Sequence, residues 1–122
     1  MTTKQHAEMM ERIERHGNQL LAIFPQAKEQ DPVKLCKRLK IVDGKAARAA
    51  VRYCNGESTE AEWEKISSDC ARLANDLLCT NRVWVNGDPR GYALKIDLQD
   101  GEVLHRDMGG YGIIAPDLTE HD

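Results

Sequence analysis

Arg82-Val83-Trp84-Val85-Asn86-Gly87-Asp88-Pro89-Arg90-Gly91-Tyr92-Ala93-Leu94-Lys95-Ile96-Asp97-Leu98 is the stretch that decides the fold. Val83 and Val85 alternate with Trp84, and Tyr92, Leu94, Ile96 and Leu98 alternate with Ala93, Lys95 and Asp97. Two period-2 runs around a cluster of Gly, Pro, Asn and Asp predict a β-hairpin. Downstream, Gln99-Asp100-Gly101 is a second turn signal and residues 102–106 form a third strand candidate. The glycine-rich bend Asp107-Met108-Gly109-Gly110-Tyr111-Gly112 leads to a short apolar run, Ile113-Ile114-Ala115, closed by Pro116. A small antiparallel sheet of three to four strands follows, with residues 117–122 as an acidic tail.

Upstream the periodicity is helical. Met9, Ile13, Leu20 and Phe24 recur at steps of four and seven, with Gly17 and Asn18 weakening the middle and Pro25 closing the segment. Asp31-Pro32 starts a second helix as cap and first helical residue. Leu35, Leu39, Val42, Ala46 and Tyr53 line its inner face, and Asn55-Gly56 ends it. Gly44 inside it suggests close helix packing. Thr59 and Glu62 are spaced as a capping box for a third helix, in which Trp63, Ile66, Cys70, Leu73 and Leu77 make one apolar stripe. The short link between these two helices predicts an antiparallel αα-hairpin, with Leu39, Ala46, Ile66 and Leu73 on the facing stripes. Helices before strands read as α+β: one domain over residues 1–122, helical over about 3–80 and β over about 82–116.

Composition narrows the functional classes. The 122 residues are 41% hydrophobic but only 5% aromatic, so the core is aliphatic. A net charge of −3 argues against a general nucleic-acid binder. Neither a targeting signal nor a membrane span of about 20 residues is expected, which points to the cytoplasm. The four cysteines, Cys36, Cys54, Cys70 and Cys79, form no C-x-x-C pair and read as reduced residues of helical segments. No cofactor or metal motif is present, and no catalytic residue is assigned.

The charge is uneven. Residues 31–56 carry seven basic side chains against Asp31 and Asp43, a net of +5, whereas residues 57–80 have a net of −4. On a helix Lys34, Lys37, Arg38, Lys45, Arg48 and Arg52 fall within an arc of about 100°, beside the buried stripe. Such a stripe suits phosphates or an acidic partner. Equally, it suits a solvated face partly neutralised by the acidic third helix.

The loop after Val85 concentrates an amide, a carboxylate, a guanidinium and a phenol in Asn86, Asp88, Arg90 and Tyr92. Polar groups on a loop held by a rigid hairpin are a usual place for binding, although Gly87, Pro89 and Gly91 also serve a tight turn. Tyr111 in the glycine-rich bend joins this candidate surface. The bend lacks the spacing of a phosphate-binding fingerprint. Asp97, His105 and Asp107 form the weakest candidate, an acid/base or metal-binding set of a small hydrolase or nuclease. His6 and His16 read as surface residues of the first helix.

The runs Asn86-Gly-Asp-Pro-Arg-Gly-Tyr-Ala-Leu-Lys-Ile96 and Arg106-Asp-Met-Gly-Gly-Tyr-Gly-Ile-Ile-Ala-Pro116 resemble those of a group of small phage- and prophage-encoded hypothetical proteins. Asp31-Pro-Val-Lys-Leu-Cys-Lys-Arg-Leu39 and Arg52-Tyr-Cys-Asn-Gly56 add to the resemblance, which covers about residues 24–117. It implies an accessory phage protein in a bacterial cytoplasm, with no activity or site residues to carry over. The expected partner is a host or phage protein, with binding as the mode of action and inhibition of a host or defence protein as its expected effect. A nucleic-acid-binding module is the alternative, using the basic stripe with Trp84, Tyr92 or Tyr111 as stacking groups.

Overall fold

In the computed structural model the described residues are 2–91, 94–98, 101–106 and 114–116. Three helices come first: α1 (Thr3–Ile23), α2 (Pro32–Cys54) and α3 (Glu60–Leu78). Four strands follow: β1 (Val83–Val85), β2 (Leu94–Asp97), β3 (Val103–Arg106) and β4 (Ile114–Pro116). They form one sheet in the order β1-β2-β3-β4, every neighbouring pair antiparallel. The α+β reading and the hairpin therefore hold, with Val83 opposite Ile96 and Val85 opposite Leu94. The acidic tail, the bend at 107–113 and Tyr92 lie outside the described residues.

The caps anticipated from sequence are in place. The Asp31 carboxylate accepts from the Lys34 N–H at 3.0 Å. Thr59 and Glu62 form the reciprocal capping box. Thr2 and Gln5 form another, at the start of α1. Gly56 follows α2 at φ +75°, a conformation glycine adopts without steric cost. Cys79 lies just beyond α3 rather than in it, in the left-handed region at φ 54°.

α2 packs against both α1 and α3, and α3 packs against β1. Leu20, Leu35, Leu39, Leu78 and Ile96 are fully buried, each contributing about 1.5–3 kcal/mol. Leu94, Ile96 and Leu104 send the inner face of the sheet into the same cluster as Ala46, Ala71 and Ala74. Cys36 and Cys70 are buried, Cys54 and Cys79 exposed, and none of the four is in a disulfide. Burial pushes the Cys70 thiol up, away from the reactive thiolate.

The buried face of α3 differs from the stripe read in the sequence. Trp63, Ser67, Cys70, Ala71, Ala74 and Leu78 are buried, while Leu73 is 47% exposed. Small residues take this face, where Ala71 and Ala74 share a buried cluster with Ala46 of α2, and close helix approach needs short side chains. His16 is buried, not a surface residue, because it faces inward between Ile13 and Leu20.

Both helical glycines also behave differently from expectation. α1 is continuous through Gly17. A Cβ there would overlap the backbone of Pro32, so Gly17 permits the contact between α1 and the start of α2. At Gly44 no backbone is close, and a Cβ would meet only the flexible end of Arg48 at 3.3 Å.

Gly17→Ala should therefore destabilise by about 1–3 kcal/mol or more. Gly44→Ala should stabilise by about 0.4–1 kcal/mol, by restricting the unfolded chain. Urea unfolding of both variants checks the pair. In the same assay Leu39→Ala should cost about 2–5 kcal/mol. Leu73→Ala should cost less than about 1 kcal/mol, as for an exposed side chain.

Candidate functional site

The loop after β1 is positioned from α3. The Asn75 side chain accepts from the Val83 N–H at 2.9 Å and donates to the Val83 carbonyl at 3.1 Å. β1 consequently runs back along α3 from Asn75, and Val85 reaches the level of Ser68 and Glu64. Residues 86–91 then close over the start of α3 and the end of α2.

The loop is bonded within itself. Asn86 Nδ2 donates to the Asp88 carbonyl at 3.1 Å, and the Gly91 N–H donates to the same oxygen at 3.0 Å. Asp88 Oδ1 accepts from the Arg90 N–H at 3.0 Å and from Arg90 Nε at 3.2 Å. These bonds from Arg90 hold the Asp88 carboxyl below the usual aspartate range. They also push the Arg90 guanidinium up, through the side-chain bond first and the charge of Asp88 second. A Cβ at Gly91 would come within 3.1 Å of Asn86 Nδ2, so that amide would have to give by a few tenths of an ångström, whereas Gly87 has open space around it.

A notch of about 320 Å³ lies beneath the loop, between Pro89, Gly87 and Val85 on one side and Tyr53, Trp63 and Glu64 on the other. The Tyr53 and Trp63 rings stack at 5.4 Å and 8°. Tyr53 Oη donates to Glu60 Oε1 at 3.2 Å, which pushes the phenol up. Trp63 is 4% exposed, and its indole N–H has no acceptor among the described residues. An orphaned buried donor costs about 1–3 kcal/mol. Trp63 and Tyr53 read as core in the sequence, and the position of Glu60 and Glu64 opposite the loop is set by tertiary packing alone. The capping box was the available signal, since it places acidic residues at the start of α3.

Of the predicted loop residues, Asn86, Asp88 and Arg90 come together as described. Tyr92 and Tyr111 lie outside the described residues, as does Asp107. Asp97 accepts from the Trp84 indole at 2.8 Å, and His105 stands opposite Lys95 in the β2–β3 register. Among the described residues no cluster of three or more His, Cys, Asp or Glu is placed to hold a metal.

Of the basic residues of α2, Arg52 lies close enough to Glu62 of α3 that, after the bonds from Thr59, its charge helps lower that carboxyl. Arg38 faces Glu29 of the preceding loop at 3.8 Å, and Arg52 donates to the Glu57 carbonyl at 3.3 Å. Lys34, Lys37, Lys45 and Arg48 form no ion pair among the described residues. Two carboxylates of α3 are engaged elsewhere: Asp69 with Lys65 and Arg72, and Asp76 with Lys28. No helix of the described residues is long and apolar enough to cross a membrane. The chain matches no protein-family model, and no curated protein or solved structure is significantly similar to it.

Because the Asp88 carboxyl is depressed in the folded loop, its ordering contribution is complete above the pKa of an unfolded aspartate. That contribution is lost as pH falls through the lower folded value. NMR titration should show an Asp88 midpoint below that of Asp88 in an unfolded peptide, with the Arg90 amide losing protection over the same range. An Asp88→Asn variant should remove this pH dependence.

Proposed function

We propose that the chain is a binding module, a phage or prophage accessory protein that acts in the bacterial cytoplasm by gripping a partner protein with the 86–91 loop. The observation that carries this reading is the fixed guanidinium of Arg90. Its side chain is 82% exposed while Nε is held by Asp88. Its terminal N–H groups have no partner among the described residues. A planar fork already ordered by its neighbour loses less entropy on binding and suits an interface hot spot facing a carboxylate. The notch beside it adds the complementary charge, with Glu60 and Glu64 ready for a basic side chain of the same partner. Engagement of Asp97 by Trp84 favours binding over the hydrolase alternative, because that carboxylate already serves the sheet.

Arg90→Ala should leave stability within about 1 kcal/mol of wild type in a thermal melt. Affinity for the partner should fall at least about tenfold. Immobilised wild-type protein should retain a bacterial lysate protein after nuclease treatment, and immobilised Arg90→Ala protein should not. Full retention by the folded variant removes the loop as the working surface.

A further inference from the structure

The basic face of α2 has an aliphatic residue at its centre. Ile41 is 70% exposed, and on the helix it lies among Lys34, Lys37, Arg38, Lys45 and Arg48. A β-branched aliphatic gains nothing from water there, and a phosphate-tracking surface has no use for it. Beside it runs a groove of about 520 Å³ between α1 and α2, formed by Met9, Met10 and Ile13 on one side and Ile41 on the other. Lys37 and Arg48 stand on its rim, and no carboxylate lines it. Gly44 contributes no side chain at its middle, which keeps it open.

We infer that this groove receives an acidic amphipathic α-helix of a partner protein. Two features select that occupant. The lining residues of α2 run from Cys36 to Arg48, about 18 Å along the axis, enough for three turns of a docked helix. Such a helix presents apolar residues at i, i+3 or i+4, and i+7 to a groove of this shape, and unbranched methionines adapt to its side chains. The rim sets the sign. Lys37 and Arg48, with Lys34 and Lys45 farther along the stripe, meet Asp or Glu on the flank of the incoming helix and repel a basic one. Among the described residues His6 supplies the one ring lining the groove, with no Phe, Tyr or Trp, so bases find no extended platform to stack on. The groove shares no residue with the 86–91 loop and its notch, so this inference stands apart from the proposed function.

The test uses a fluorescent synthetic peptide of about 18 residues, five helical turns, with leucines on one face and glutamates on both flanks. Its controls are a scrambled peptide of the same composition and a peptide with lysines in place of the glutamates. By fluorescence anisotropy the acidic amphipathic peptide should bind the full chain, and more weakly as salt rises. Both controls should bind at least about tenfold more weakly. Ile41→Ser, which removes apolar area without altering charge, and Lys37→Glu with Arg48→Glu should each weaken binding about tenfold or more. Because these residues are exposed, circular dichroism melts should stay close to wild type. Amide shifts on titration should centre on Met9, Met10, Ile13 and Gly44. Absence of binding at millimolar protein, equal binding of the scrambled peptide, or an unchanged Ile41→Ser affinity overturns the inference. Short duplex DNA that binds more tightly than the peptide and is indifferent to Ile41→Ser also overturns it. A concentration-dependent dimer abolished by Ile41→Ser would assign the groove to a second copy of the chain instead.

Discussion

One carboxamide joins the two halves of this protein. Asn75 satisfies both the N–H and the carbonyl of Val83, standing in for a neighbouring strand along β1. β1 is an edge strand with β2 on its other side, and an unpaired edge is a site of misassociation. The same residue's backbone carbonyl accepts the Cys79 and Thr80 N–H groups that close α3. The helix therefore stops and the sheet starts at one residue. Each bond adds a net of about 0.5–1.5 kcal/mol, but their larger effect is directional. With Val83 held at Asn75, β1 must return along α3, and the 86–91 loop must emerge over Tyr53, Trp63 and Glu60.

Close approach between helices is the second constraint. Gly17 lets α1 meet the start of α2, and Ala46 of α2 shares a buried cluster with Cys70, Ala71 and Ala74 of α3. With aromatics scarce, the core gains density from short side chains rather than from large anchors. The loop between α1 and α2 is drawn onto the end of α3. There the Lys28 N–H donates to the Leu77 carbonyl and Lys28 Nζ meets Asp76, each at 2.8 Å. The Arg82 guanidinium lies 5.9 Å from the centre of the Phe24 ring, adding a cation–π contact where α1 ends near β1.

Charge is distributed for surfaces rather than for stability. The ion pairs of α3 are exposed and local, a class worth about 0–1 kcal/mol each. They engage Asp69 alone, while Lys34, Lys37, Lys45 and Arg48 of α2 form no ion pair among the described residues. Two surfaces of different character result. One presents an ordered guanidinium beside a notch with glutamates, and the other an apolar groove with a cationic rim.

Local sequence determined what local physics controls. Alternation in residues 82–98 produced the hairpin, Asp31-Pro32 and Thr59 with Glu62 placed the helix starts, and Asn86, Asp88 and Arg90 were visible as one polar loop. Each depends on neighbours a few residues away. Tertiary structure alone decided which side of α3 faces inward, because a count of large apolar residues overlooks alanines that bury through close helix contact. It decided the opposite roles of Gly17 and Gly44, since only one has a backbone against its α-carbon. It also decided the partners of charge. The acidic third helix looks like a counterweight to α2 in one dimension, yet its carboxylates meet α2 at its N-terminal end, through Glu60 with Tyr53 and Glu62 with Arg52, while Asp69 and Asp76 pair with Lys65, Arg72 and Lys28. Ion pairing depends on distances of a few ångströms, and those are set only when the helices pack.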